Sequence, residues 1–158
     1  MTQHQPTLFV PHGAPTFALR PGAAGAALSA MAKSLALPRA IIIVSAHWDT
    51  VIPTVGYAER PETIHDFWGF PDALYEIRYP ATGCREASDE VFAALKAAGM
   101  PAVQDAGRGL DHGAWVPLRL CSRMPKSRSF RYPSRAGEAP NKRTSWARRW
   151  HRSRPRAF

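Results

Sequence analysis

The chain has 158 residues, 45% of them hydrophobic, enough for one domain with its own core. Its formal charge of +9 suggests a nucleic-acid binder until its distribution is examined: residues 1–121 hold nine Lys/Arg against eleven Asp/Glu, whereas residues 122–158 hold twelve against Glu138 alone. Two cysteines, Cys84 and Cys121, make neither a disulfide framework nor a zinc-type pair, and there is no charged-then-apolar leader and no apolar run of membrane-spanning length, so the expectation is a soluble cytoplasmic protein with free thiols.

In chain order, Thr7–Val10 reads as a short apolar strand, broken by Pro11, Gly13 and Pro15. Residues 22–37 are Ala-rich, with Leu28, Met31, Ala32 and Leu35 at helical spacing, and Pro38 ends that helix. Residues 40–45, Ala-Ile-Ile-Ile-Val-Ser, are apolar on both faces, the pattern of a central parallel strand covered on both sides. Residues 51–56 form a weaker strand that Pro53 pushes toward an edge. Residues 60–83 are a long aromatic and Pro/Gly-rich segment without periodicity, and such a segment in a compact domain points to function. Residues 85–98 carry a helical stripe of Val91, Leu95 and Ala98, with Phe92 beside it and Gly99 as its cap. A short strand at 101–104 follows, and 116–121 is apolar and compatible with helix or strand. The alternation points to an α/β fold.

Four histidines stand out against this frame. His12 follows the first strand in Pro11-His12-Gly13-Ala14-Pro15, a stiff turn able to present a metal ligand in a fixed position, though a hydrogen-bonded turn histidine would look the same. His47 ends the strongest strand in Ser45-Ala46-His47-Trp48. His112 lies in Asp111-His112-Gly113, which also reads as a simple turn. His65 sits among Phe67, Trp68 and Phe70, walls suited to a planar organic substrate or to plugging a sheet edge. No close-spaced zinc motif links any of them. Together they suggest an open two- or three-histidine site of the kind that holds non-haem iron(II) or zinc(II), strand ends converging on one rim of such sheets.

The runs Val10–Pro15, Ile43–Trp48, Thr63–Pro71 with Leu74–Pro80, and Leu110–Leu118 resemble the class III extradiol ring-cleavage dioxygenases, of the DOPA 4,5-dioxygenase type related to the catalytic subunit of protocatechuate 4,5-dioxygenase. The likeness covers about residues 6–121, in order and at family spacing. It implies a three-layer α/β sheet with flanking helices, of which this chain holds the N-terminal half. It also implies a mononuclear Fe(II) or Zn(II) centre, a catechol substrate and O₂. On the same resemblance His12 and His47 match metal ligands, His112 an active-site histidine that meets substrate or bound oxygen, and His65 a position near the pocket.

After Cys121 the family pattern stops. The histidine and the further ligand that the family carries in its second half have no counterpart here, and residues 122–158 are Arg/Ser/Pro-rich text without periodicity. The expectation is a domain piece over 1–121 followed by an irregular basic tail, disordered or translated out of frame, and hence a chain with little or no activity of its own. Two other readings stay open on the residues alone. The tail, with Tyr132, Trp146 and Trp150 among its cations, could bind nucleic acid or an acidic surface. The histidines could equally serve a zinc hydrolase.

Overall fold

The computed structural model describes residues 5–121 and, as backbone, residues 129–134. Its architecture is mixed α/β: short parallel ladders flanked by helices. Strand β1 (Ile41–Asp49) pairs in parallel with β4 (Ser129–Ser134), with Ile41 opposite Ser129 and a register shift between Ser45 and Asp49. Strand β2 (Thr54–Gly56) pairs in parallel with β3 (Val103–Asp105). A single parallel bridge, Thr63 to Leu110, ties the long segment to the chain entering the last helix.

The helices follow the sequence pattern closely. Helix α1 (Gly22–Ser34) stops three residues short of the expected end, where Leu35 turns extended. Helix α2 (Arg85–Ala97) is closed beyond its end by Gly99, whose φ of 71° is the left-handed geometry that glycine adopts without strain. Its stripe packs as expected, with Leu95 beside Val55 and Ala102 and with Val91 and Phe92 against them. Helix α3 (His112–Leu120) resolves the open choice for 116–121 in favour of helix. Asp111 is its N-cap, accepting a hydrogen bond from Ala114 N at 3.2 Å.

Two expectations need correcting. Thr7–Val10 forms no ladder; that stretch is irregular and Phe9 is fully exposed, because nothing among the described residues pairs with it. Strand β1 is not covered on both faces. Ile43 packs toward the main core, but Ile42 and Val44 on the other side are more than half exposed. Within the tail, Ser129–Ser134 contribute β4, since a ladder needs only backbone groups and not the two-residue side-chain period that the sequence lacks there. The rest of 122–158 lies outside the described residues.

The main core is built where α3 meets the long segment. Leu74, Ile77, Leu110, Ala114, Trp115 and Val116 are buried together, with Phe67 against them. Trp115 is wholly buried, yet its indole N–H is satisfied by the Ile64 carbonyl at 3.0 Å. A second small cluster holds α1 through Leu28, Ala32 and Cys121. No helix among the described residues is long and apolar enough to cross a membrane.

Candidate metal and acid/base site

Three of the four singled-out histidines meet. His12 arrives on the turn before the 3-10 helix Pro15–Ala18, and Gly13 follows it with φ 63°, a left-handed bend that sets the direction of the turn. His47 projects from the C-terminal part of β1. His112 is the first residue of α3, delivered by the Asp111 cap. Their ligand atoms all lie within 4.8 Å of one another. The Nε2 atoms of His12 and His47 are 2.8 Å apart, and the ring centroids of His47 and His112 are 4.1 Å apart.

A carboxylate from the long segment stands behind this group. Asp66 Oδ1 accepts from the backbone N–H of His112 at 2.9 Å and lies 3.0 Å from its Nδ1, while Oδ2 is 3.8 Å from Nδ1 of His47. Burial works against the charge on Asp66, but the hydrogen bonds from the His112 ring and backbone, with the charge of that ring, outweigh it and hold the carboxyl at about 2. His12 is shifted the other way: burial, then the neighbouring His47 and His112, push its imidazole below the ordinary value. A neutral imidazole is the form that binds a metal.

A fully buried carboxylate, Asp111, is committed elsewhere. Ser45 Oγ donates to its Oδ1 at 2.6 Å and Arg108 Nη2 to its Oδ2 at 3.2 Å. This ties β1, the approach to α3 and the α3 cap into one buried polar knot directly beneath His47 and His112. Arg108 also donates to the His47 carbonyl at 3.3 Å and lies over the Trp48 ring.

His65 stands apart from the three. Its Nε2–H donates to the Ile77 carbonyl at 3.1 Å, and its ring packs among Phe67, Tyr75 and Trp115. The residue beside it, Asp66, is the one that reaches the histidine group. Sequence reasoning singled out the imidazole of this His-Asp pair and passed over the carboxylate. The available signal was the pairing itself: in extended chain, adjacent side chains point to opposite sides, so one member of the pair faces the aromatic core and the other the site.

The donor set can be tested for fit to a transition metal. Three imidazole nitrogens suit iron(II) or zinc(II) rather than calcium or magnesium, which take oxygen ligands. With bonds of about 2.1 Å, the spacing of the His12 and His47 nitrogens subtends a little under a right angle at the ion, compatible with adjacent corners of an octahedral shell. The residues therefore fit such an ion, with His12 and His47 able to ligate together and His112 beside them.

Comparison with known proteins gives a consistent picture. A profile of the family described as the catalytic LigB subunit of aromatic ring-opening dioxygenase matches residues 7–139. The 4,5-DOPA dioxygenase extradiol of Mirabilis jalapa is 51% identical over 81 residues, 51% of this chain and 30% of that protein. The protein of the same name from Escherichia coli (strain K12) is 40% identical over 114 residues, 72% of this chain and 41% of that protein. Dioxygenase tasH of Hapsidospora irregularis is 48% identical over 84 residues, 52% of this chain and 26% of that protein. Among solved structures, the uncharacterized protein JW3007 from Escherichia coli K12 superposes with a TM-score of 0.50 at 26% identity, over 68% of this chain and 38% of that one. The chain thus spans about two fifths or less of the length of these relatives.

Proposed function

The chain belongs to the family of catalytic LigB subunits of aromatic ring-opening dioxygenases, and we propose that it carries the N-terminal share of an extradiol centre that opens a catechol ring with O₂. The observation that carries this reading is the convergence of His12, His47 and His112 from three separate segments onto one point. In it His12 and His47 ligate the metal, and His112 is the acid/base group. We assign iron(II) to the working centre, because zinc(II) has no redox chemistry to offer O₂. The ion, when bound, would supply a Lewis-acidic and redox-active meeting point for catechol and oxygen.

The chain's own residues supply the rest. A carboxylate can only accept, so the His112 nitrogen facing Asp66 carries a proton. In this reading the other nitrogen, Nε2, takes a proton from a catechol hydroxyl and returns it later in the reaction, a role typically worth about 10²–10⁴ in rate. Phe67 stands edge-on to the His112 ring, with centroids 5.8 Å apart, and limits access of water to it. His65 acts at one remove: its bond to the Ile77 carbonyl holds the aromatic wall on which Phe67 and Tyr75 sit. The compartment we assign is the cytoplasm, where both cysteines stay free thiols.

The test uses the 158-residue chain, loaded anaerobically with Fe(II) and mixed with DOPA or protocatechuate. Catechol should bind only to the loaded chain, and admission of O₂ should give slow formation of the yellow ring-opened product. Equal catechol binding with and without metal, or undiminished binding by the His12→Ala/His47→Ala double variant, would overturn the assignment.

A further inference from the structure

We propose that Asp66 is a positioning residue. Its carboxylate fixes the ring orientation and tautomer of His112, so that Nε2 is the nitrogen turned toward His12 and His47. The inference deepens the dioxygenase reading above and rests on it for the role of His112.

Four observations carry it. First, one oxygen of Asp66 holds His112 at two points, the backbone N–H at 2.9 Å and Nδ1 at 3.0 Å, so the side chain and the start of α3 are gripped together. A ring held at Nδ1 by the same atom that holds its own main chain has little freedom about χ1 and χ2. Second, the ring is buried, with only 6% of the residue exposed, so no bulk water competes for that nitrogen. Third, the neighbouring carboxylate that might have done this work is engaged elsewhere: Asp111 serves Ser45, Arg108 and the α3 cap. Fourth, the other oxygen of Asp66 lies 3.8 Å from Nδ1 of His47, so one carboxylate stands behind two of the three imidazoles, and the remaining nitrogen of His47 faces His12 Nε2 at 2.8 Å. Outer carboxylates of this kind set which nitrogen of an imidazole is free, and removing them typically weakens metal binding about 10–100-fold.

The consequence is mechanical. Asp66 comes from the 60–83 segment and His112 from α3, joined otherwise through the Thr63–Leu110 bridge and the Trp115–Ile64 hydrogen bond. The orientation of the acid/base group is therefore set by the placement of the long segment.

The experiment compares the full chain with Asp66→Ala and Asp66→Asn, each labelled with ¹⁵N-histidine and free of metal. Long-range ¹H–¹⁵N correlation spectra report which nitrogen of His112 is protonated, and Zn(II) competition titrations report affinity. We expect the unaltered chain to show the Nδ1–H form with its proton far downfield. Asp66→Asn, whose amide oxygen still accepts, should keep that tautomer but move the proton upfield as the charge is lost. Asp66→Ala should release the tautomer and weaken Zn(II) binding about 10–100-fold. An Nδ1–H signal unmoved in Asp66→Asn would overturn the proposal even if Asp66→Ala does not fold, and so would an Asp66→Ala protein with unchanged tautomer and affinity. The readouts separate the two readings. A tautomer that switches as expected in a chain that never binds catechol upholds the positioning role and removes the dioxygenase reading, whereas metal-dependent catechol binding with an indifferent tautomer does the reverse.

Discussion

Gly113 lies directly against His47: a Cβ on Gly113 would come 2.8 Å from His47 Cδ2 and 2.6 Å from Ser45 Oγ. Gly113 is not among the residues with positive φ, so the glycine serves space rather than backbone geometry. On helix propensity alone, Gly113→Ala would stabilise α3 by up to about 1 kcal/mol. Neither neighbour can yield easily, since Ser45 is buried in its bond to Asp111 and His47 belongs to the histidine group. We expect overpacking to prevail, with a net loss of about 1–3 kcal/mol in urea unfolding and weaker Zn(II) binding in calorimetric titration. Higher stability together with intact binding would show that the two segments separate freely.

The Ser45–Asp111 bond supports a second expectation. Both residues are buried, and Asp111 holds a charge that must be satisfied from within. Ser45→Ala leaves Asp111 its contacts with Arg108 and the α3 cap and should cost about 1–3 kcal/mol. Asp111→Ala removes the cap and strips Arg108 of its carboxylate, and a broken buried pair typically costs about 3–5 kcal/mol. Denaturant midpoints should fall in that order, Asp111→Ala well below Ser45→Ala. The reverse order would mean that the serine, not the carboxylate, anchors the knot.

Local signals explain what was legible in the sequence. The α2 stripe of Val91 and Leu95 was readable because a 3.6-residue period with a glycine cap has few other meanings. His12, His47 and His112 were recognisable as chemistry because each follows a break in an apolar run within a family-like motif, yet their convergence depends on tertiary packing that no local pattern encodes. Asp66 was missed for that reason: its partner, His112, is 46 residues away. The exposed face of β1 was misread because Ile42 and Val44 are as apolar as Ile43, and composition cannot say which face is covered. β4 escaped notice because parallel pairing draws on backbone groups, while its Arg131, Pro133 and Ser134 mask any alternation.

Cys121 offers a pH-dependent probe of the α1–α3 contact. Its thiol is buried against Leu28 and Ala32, and burial raises its pKa above the ordinary thiol value. The sign follows from the neutral form being favoured in the fold. Stability is unaffected below the ordinary thiol value, and the contribution is lost as the pH rises through the raised folded value. Alkylation of the native chain by iodoacetamide at pH 8 should therefore be slow at Cys121 and should accelerate strongly in urea. Rapid native labelling of Cys121, mapped by mass spectrometry of peptides, would show that the contact opens readily.

The histidines themselves give the sharpest contrast. His12 and His47 place their Nε2 atoms 2.8 Å apart, so each loses half of a shared site when the other is removed. We expect His12→Ala and His47→Ala each to reduce Zn(II) or Fe(II) affinity at least as much as loss of an outer-sphere partner, about 10–100-fold. The double variant should do little worse than either single one, because a pair of ligands to one ion is not additive. His65→Ala should behave differently. Its ring is spent on the Ile77 carbonyl and the aromatic core, so its removal should leave metal affinity near that of the unaltered chain while lowering stability by about 1–3 kcal/mol through the orphaned carbonyl and the cavity. Equilibrium dialysis with metal analysis, paired with urea unfolding of the same four proteins, separates the two kinds of loss. If His65→Ala releases the metal and His12→Ala does not, the centre lies on the aromatic side of the long segment and the three converging imidazoles are not its ligands.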